Sequence, residues 1–294
     1  MKVTALQDAE PRPRKVAVGT FDGVHLGHRE VIRGNDTVLT FEPHPLAVVK
    51  PDAVPKLIAS PEIKRDLIAG LGVEELVVIP FNEDFSHKSA QQFIDEVLVD
   101  KLRATHVSVG ENFTFGMKAQ GTPQMLRGRS EFETRVVPLV EVNGETVSSS
   151  HIRGLVAAGE VKEAAEFLGG PFLFQGEVVH GDKRGRELGF PTANIVPGEK
   201  QAVPGHGVYA AWAHGHPAAV NVGVRPTFQT GRGLLIEAFL LDFDGDLYGQ
   251  DLRVAFVERL RGEKRFESVD DLVAQMELDV QRAREICSAT VFRR

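Results

Sequence analysis

Two histidines three residues apart, His25 and His28, flank Gly27 directly after an apolar run, Lys15-Val16-Ala17-Val18, and ahead of Arg29-Glu30-Val31-Ile32. The pattern predicts a strand, a turn carrying Gly19, Gly23 and Gly27, and the first turns of a helix. At such a helix start, free backbone N–H groups and the positive end of the helix dipole favour an anion, and glycines let the backbone approach it. An i, i+3 spacing sends both imidazoles off one face of the first turn, so two donors converge on one phosphate. Singly, each histidine is an ordinary surface residue of a helix start; the pair around Gly27 after a strand is what points to chemistry.

A second set of reactive types stands in the other half. Pro191-Thr192-Ala193-Asn194 reads as a strand whose alternation puts the Thr192 hydroxyl and the Asn194 amide oxygen on one face. Two neutral oxygens hold Mg²⁺ weakly alone and well once nucleotide phosphates complete the octahedron. The loop before them, Gly181 to Arg186 with Lys183 and Gly185, is basic and glycine-rich: a phosphate cradle or a solvated turn. Glu237 interrupts the apolar run Leu234 to Leu241. A buried carboxylate without a partner is expensive enough to have a use, such as accepting a hydroxyl proton; on an exposed face at a strand edge it needs none. Gly110 to Gly116 places Asn112 beside Phe113 and Phe115, which either wall a flat ring or plug the protein's own core. Ser148, Ser149 and Ser150, ahead of Ile152 and Arg153, are by themselves helix caps.

The elements that must position these groups fall into two kinds. Up to Leu168, strands at Lys15–Val18, Asp36–Thr40, Glu75–Ile79, Thr105–Val109 and Val136–Val140 alternate with helical patterns, among them one opened by Ser60-Pro61-Glu62 and one by the capping box Ser89 to Gln92. That alternation predicts an α/β domain with a mostly parallel sheet and ligands beyond the strands' carboxyl ends. Eleven residues separate His28 from Thr40, short for a parallel crossover, so either its helix is curtailed or a segment near Gly34-Asn35 is absent; the second is favoured. From Phe172 onward six β-like runs follow one another with glycine turns, which predicts a mainly antiparallel barrel. A helix after Ser268 should close its core through Leu272, Val273, Met276, Val280, Ala283 and Cys287. Asp244-Gly245 reads as a hairpin turn rather than half a calcium loop, since the closing glutamate is missing. The boundary is set at Gly169-Gly170-Pro171, giving domains 1–169 and 170–294.

The 294 residues suit two domains, and the net charge of −7 argues against broad nucleic-acid binding. One cysteine permits no internal disulfide and suits a reducing cytoplasm. No apolar stretch nears the roughly 20 residues that span a bilayer, and Met1 to Arg14 carries no apolar signal core. A cytoplasmic protein acting on small molecules, without membrane or nucleic-acid partners, is the expectation.

The HxGH string resembles the nucleotidyltransferase signature, in which the histidines stabilise charge on a nucleotide's α-phosphate while pyrophosphate leaves. That chemistry needs positioning and positive potential, not a covalent intermediate. The fuller string GTFDGVHLGH resembles the bacterial bifunctional riboflavin kinase/FMN adenylyltransferase (FAD synthetase) family, as do TFEPHP at Thr40–Pro45, the loop Gly110–Gly116, Ser148–Arg153, the PTAN segment with its preceding loop, and Glu237 ahead of Leu240-Leu241-Asp242-Phe243. Ser150 replaces the family's usual threonine. The resemblance implies a nucleotidyltransferase-like, Rossmann-like first domain that adenylylates FMN to FAD and a barrel that phosphorylates riboflavin to FMN with MgATP. It implies that His25, His28 and Arg153 act on the nucleotide phosphates. Gly19, Phe21, Asp22, Gly27, Asn112, Ser148 and Ser149 would bind nucleotide or FMN. Gly181, Lys183, Gly185, Arg186, Thr192 and Asn194 would bind phosphates, Thr192 and Asn194 also Mg²⁺, and Glu237 would be the base. Two other readings stand beside it: a riboflavin kinase whose first site is impaired, and a flavin-binding protein without catalysis.

Overall fold

The computed structural model describes all residues except 182–187, 199, 225–233 and 291–294. The expectations for Lys183, Gly185 and Arg186 therefore lie outside the described residues. The chain packs as two compact units, Met1–Pro55 with Pro61–Ser148, and Lys56–Ser60 with Ser149–Arg294.

In the first unit, strands β1 (Lys2–Ala5), β2 (Arg14–Val18), β3 (Thr37–Glu42), β4 (Glu75–Pro80), β5 (Ala104–Gly110) and β6 (Glu133–Val137) form a sheet in the order β1-β4-β3-β2-β5-β6, parallel at every pairing. Helices α1 (Leu26–Ile32), α2 (Leu46–Val49), α3 (Pro61–Ala69), α4 (Glu83–Ser86), α5 (Ala90–Gln92, continued by a π-helix over Phe93–Lys101) and α6 (Pro123–Arg127) connect them. A small hairpin, β7 (Glu141–Val142) with β8 (Glu145–Thr146), turns at Asn143-Gly144, both left-handed. Alternating strand residues feed two cores. Val16, Val18, Leu39, Val77, Val107 and Val109 pack one side with Phe93 and Ile94. Ala17, Val38 and Leu76 pack the other with Val31, Ile32 and Ile68. Burial on both faces is why these strands read as continuous apolar runs.

The β2 to β3 crossover runs through a helix of only seven residues and a left-handed Gly34. Strand β1 went unforeseen: it is four residues long and half exposed, and what makes it a strand is its pairing with β4. Beside that pairing lies a buried ion pair. Arg14 Nε and Nη2 donate to Glu75 Oε2 at 3.1 and 3.0 Å, while Nη1 donates to the carbonyls of Glu10, Arg12 and Leu102. Burial pushes the Glu75 carboxyl up, but hydrogen bonds from Thr4, Arg14 and Arg12 and the Arg14 charge outweigh it and hold it below its ordinary range.

The second unit begins with α7 (Ser149–Ala158) and α8 (Val161–Leu168). Strands β9 (Phe172–Val179), β10 (Ala193–Pro197), β11 (Gly207–Ala213), β12 (His216–Val224), β13 (Leu234–Leu240) and β14 (Asp251–Arg261) then close an antiparallel barrel in the order β10-β13-β12-β11-β14-β9. Phe172, Tyr209, Ala218, Val220, Ile236, Ala238 and Phe256 are buried in it. The expected C-terminal helix, α9 (Val269–Ala289), covers one side of the barrel. It packs outside, where Ala283 and Cys287 meet Ala210, Trp212 and Ala219. Leu272, Val273, Met276 and Val280 are only half-buried there. Asp279 is buried instead, chelated by Arg261 Nε and Nη2 at 2.8–3.1 Å. Burial pushes the Cys287 thiol up, in keeping with a structural role. Residues 241–250 are not a hairpin either: β13 and β14 are not neighbours, so this segment crosses the barrel's end.

Removing the charge of Glu75 strands Arg14 in the interior. Glu75→Gln should destabilise the first unit by about 3 kcal/mol at pH 7, the scale of breaking a buried pair. Since folding depresses the Glu75 pKa, its stabilisation is full above the ordinary carboxylate range and lost as pH falls through the folded value. Urea titrations should show the gap between wild type and variant closing towards acid pH.

Candidate active sites

Sheet order reverses between β2 and β5: the chain leaves β2 for β3 and β4 on one side and returns to β5 and β6 on the other. Ligands of open parallel sheets bind beyond the carboxyl ends at such a reversal. The turn Gly19–His25 leaves β2 there, and the loop starting at Gly110 leaves β5.

The turn is held from several sides. Gly19 N donates to the Leu39 carbonyl at 3.1 Å, and Thr40 Oγ1 to the Thr20 carbonyl at 3.2 Å. Phe21 and Val24 adopt left-handed φ of 50° and 45°, a strained state for a β-branched residue that persists only where surroundings enforce it. Arg29 Nε, which donates to the Val24 carbonyl at 3.1 Å, is one such constraint. His25 is the N-cap of α1 rather than a member of its first turn: its Nδ1 accepts from His28 N at 3.2 Å. A ring nitrogen that accepts carries no proton, so the His25 proton sits on Nε2. The His28 ring stacks on that of His25, centroids 3.5 Å apart and 16° from parallel. Phe21, buried, meets His28 edge-on at 5.3 Å; what it offers the site is a wall beneath that imidazole. A Cβ on Gly19 would strike the Phe21 ring, and one on Gly27 would sit 3.3 Å from the His25 ring. The Val147 carbonyl also approaches Gly27, which brings the residue before Ser148 to the motif. Asp22 is buried in the turn.

Asn112 is exposed just beyond β5. Of its aromatic neighbours, Phe115 is a member of the core, tilted against Phe93 with Gly121 pressed on its ring, and Phe113 is half-buried, stacked on Phe115. Ser148 closes the first unit, whereas Ser149 and Arg153 lie on α7 of the second, where Arg153 Nε donates to the Lys56 carbonyl at 2.9 Å.

In the barrel, register sets Asn194 of β10 opposite Glu237 of β13, and Glu237 opposite Asn221 of β12. Ile236 and Ala238, on either side of Glu237, are fully buried, so this row lies on the outer wall. Glu237 is half-buried and partnered, not the unpaired buried carboxylate its apolar neighbours suggested: Asn221 Nδ2 donates to its Oε2 at 3.2 Å. Asn221 escaped the sequence reading because only the pairing of β12 with β13 places it beside Glu237. Asn194 is 5% exposed, and its Oδ1 has no hydrogen-bond partner among the described residues. Gly181 lies against the same amide so closely that a Cβ there would overlap it. A buried acceptor without a donor, cradled by a glycine, fits a cation. Thr192 stands just before β10, half-buried.

The FAD synthetase family profile matches residues 7–151 and the riboflavin kinase profile residues 168–287. A bifunctional riboflavin kinase/FMN adenylyltransferase of Bacillus subtilis (strain 168) is 39% identical over 289 residues, covering 91% of this chain and 90% of the relative. That of Listeria monocytogenes is 37% identical over 286 residues, with 92% and 91% covered. That of Escherichia coli K12 is 36% identical, with 94% and 93% covered. A crystal structure described as a macrolide-efflux protein from Streptococcus pneumoniae superposes with a TM-score of 0.86 at 31% identity, over 97% of this chain and 99% of that one. Among the described residues no helix is long and apolar enough to cross a membrane.

Gly27→Ala must push the stacked imidazoles. Its expected signature is a shift of the His25 and His28 ring resonances in ¹H–¹³C spectra, with those of His214 and His216 in the barrel unmoved.

Proposed function

Because the chain belongs to the bifunctional riboflavin kinase/FMN adenylyltransferase family, we propose a division of labour: residues 170–294 phosphorylate riboflavin to FMN with ATP, and residues 1–169 adenylylate FMN to FAD, releasing pyrophosphate. The observation that carries the kinase assignment is the row Asn194, Glu237, Asn221, with a buried, unsatisfied oxygen beside a held carboxylate.

In the kinase, Glu237 accepts the proton of the ribityl 5′-hydroxyl as that oxygen attacks the γ-phosphorus and the bond to the ADP oxygen breaks. Asn221 fixes the carboxylate through Oε2. Thr192 and Asn194 would hold Mg²⁺, which when bound neutralises charge on the transferring phosphoryl group. Gly181, Lys183, Gly185 and Arg186 would cradle the phosphates through backbone N–H groups and two cations.

In adenylyl transfer, an FMN phosphate oxygen attacks the α-phosphorus of ATP and the bond to pyrophosphate breaks. Nothing has to be deprotonated, so the protein's work is to place the groups and offset charge. His25 Nε2–H and the His28 ring donate to the α-phosphate, Gly19 and Gly27 admit the nucleotide close to the backbone, and Phe21 and Asp22 hold the turn. Ser148, Ser149 and Arg153 bind the triphosphate, and Asn112 the nucleotide or FMN. Both reactions suit a reducing cytoplasm, where a single buried cysteine stays a thiol.

Chromatography of flavin products tests the division. Wild type given riboflavin and MgATP should yield FAD, and His28→Ala should stop at FMN; equal FAD from both would remove His28 from the mechanism. Gly181→Ala, which displaces the Asn194 amide, should lower riboflavin phosphorylation at least tenfold and leave conversion of supplied FMN to FAD unchanged.

A further inference from the structure

Helix α1 carries the two histidines of the first site at one end and is fastened to the sheet at the other. It has seven residues, of which only Val31 and Ile32 are buried. So short a helix is unstable by itself and takes its place from whatever holds its ends. Its last carbonyls need donors that the helix cannot supply, and Asn35 and Arg135 supply them. Asn35 N donates to the Ile32 carbonyl at 3.0 Å, and Asn35 Nδ2 lies 3.0 and 3.2 Å from the carbonyls of Val31 and Ile32. Arg135 Nη1 donates to the Arg33 carbonyl at 2.8 Å.

The same Asn35 amide grips the sheet. Its Nδ2 donates to Ser108 Oγ at 3.1 Å, and Ser108 Oγ donates back to Asn35 Oδ1 at 3.3 Å. Register sets Ser108 of β5 between Ala17 of β2 and Arg135 of β6. Ala17 shares a core with Val31 and Ile32, so one row across three strands meets the end of α1 with an apolar contact, a paired hydrogen bond and a cation. Ser108 is 3% exposed, and a hydroxyl buried among apolar neighbours costs free energy unless it is bonded. Apolar contacts tolerate sliding, whereas a satisfied buried polar pair selects one position. From that position the helix runs back to the site through Arg33 N on the Arg29 carbonyl at 2.9 Å and Arg29 N on the His25 carbonyl at 3.0 Å.

We propose that Asn35 is a positioning residue for adenylyl transfer: paired with Ser108, it fixes the C-terminal end of α1 on β5 and thereby the direction in which the other end presents His25 and His28. This rests on the reading that the first unit converts FMN to FAD. A residue that merely stabilised the unit would act through the amount of folded protein and leave the histidines of the folded fraction where they are.

The test uses the full chain as wild type, Asn35→Ala, Asn35→Asp, Ser108→Ala, the double variant Asn35→Ala/Ser108→Ala, and Val77→Ala. The last opens a cavity in the core on the other face of the sheet and loosens the same unit without touching α1. Each is assayed for FAD formation from FMN, with kcat separated from the KM for ATP, and the histidine ring resonances are recorded. Asn35→Ala should lower kcat about tenfold or more with the KM for ATP within about threefold, and shift the His25 and His28 resonances while those of His214 and His216 stay. Asn35→Asp keeps the shape but turns an acceptor towards the Val31 and Ile32 carbonyls, so it should lose as much. Since Asn35 and Ser108 act as one unit, the double variant should match Asn35→Ala. Val77→Ala should lower the thermal midpoint yet keep kcat and all four resonances. Should Asn35→Ala not fold, Ser108→Ala, which leaves Asn35 bonded to the helix, is read in its place, with a smaller loss and the same resonances moving. Wild-type kcat in Asn35→Asp, unmoved His25 and His28 resonances, or an equal loss in Val77→Ala overturns the proposal. If wild type itself makes no FAD from FMN, the assignment of the first unit fails. The His25 and His28 resonances of Asn35→Ala then decide on Asn35 alone, a shift counting for it and none against it.

Discussion

Strand register is the constraint on which both sites depend. Side chains alternate along a strand, so a slip of one residue would turn Asn194 and Glu237 to opposite faces and scatter the row. The barrel prevents this by closure: with no free edge, each of its strands is pinned on both sides. The parallel sheet does it by burial, since Val16, Ala17 and Val18 alternate between two separate cores and any shift would misplace all three. Chemistry then sits where the register ends, at the turn after β2 and at the start of β10.

On the proposed assignment, the two candidate sites meet the same problem, a polyphosphate in a partly desolvated place, by different means. The first relies on a backbone held in an uncommon shape. Left-handed Phe21 and Val24, glycines at 19 and 27, and a histidine spending one nitrogen on capping leave defined donors in place before any ligand arrives. Such preorganisation removes reorganisation from the reaction. The second relies on an unmet need: among the described residues the buried Asn194 oxygen has no donor, a cost that a cation with its phosphates would relieve. Glu237, by contrast, is already satisfied on one oxygen by Asn221, so its orientation does not depend on ligand.

Much of this was legible in the residues, for identifiable reasons. Strands of the parallel sheet are apolar throughout because both faces are covered, and the capping boxes and glycine turns that bound them act locally. Ser89 and Gln92 form their reciprocal cap, and Ser268 caps α9. The α/β unit and the barrel therefore emerged from spacing alone. What did not emerge depends on distant pairing. Strand β1 exists through β4, Asn221 meets Glu237 only across β12 and β13, and Asp279 interrupts the apolar stripe of α9 because Arg261 lies opposite. Phe113 and Phe115 resemble ligand-facing aromatics in sequence because a core plug and a ring platform need the same side chains. The contact with Phe93 places Phe115 in the core, with Phe113 half-buried beside it.

That one polypeptide holds two independent reaction centres is most directly tested by Glu237→Gln, fed either riboflavin or FMN with MgATP. Loss of FMN formation from riboflavin, together with FAD formation from FMN at the wild-type rate, is the expected outcome. Wild-type phosphorylation of riboflavin by the variant, or loss of both activities from a folded protein, would contradict it.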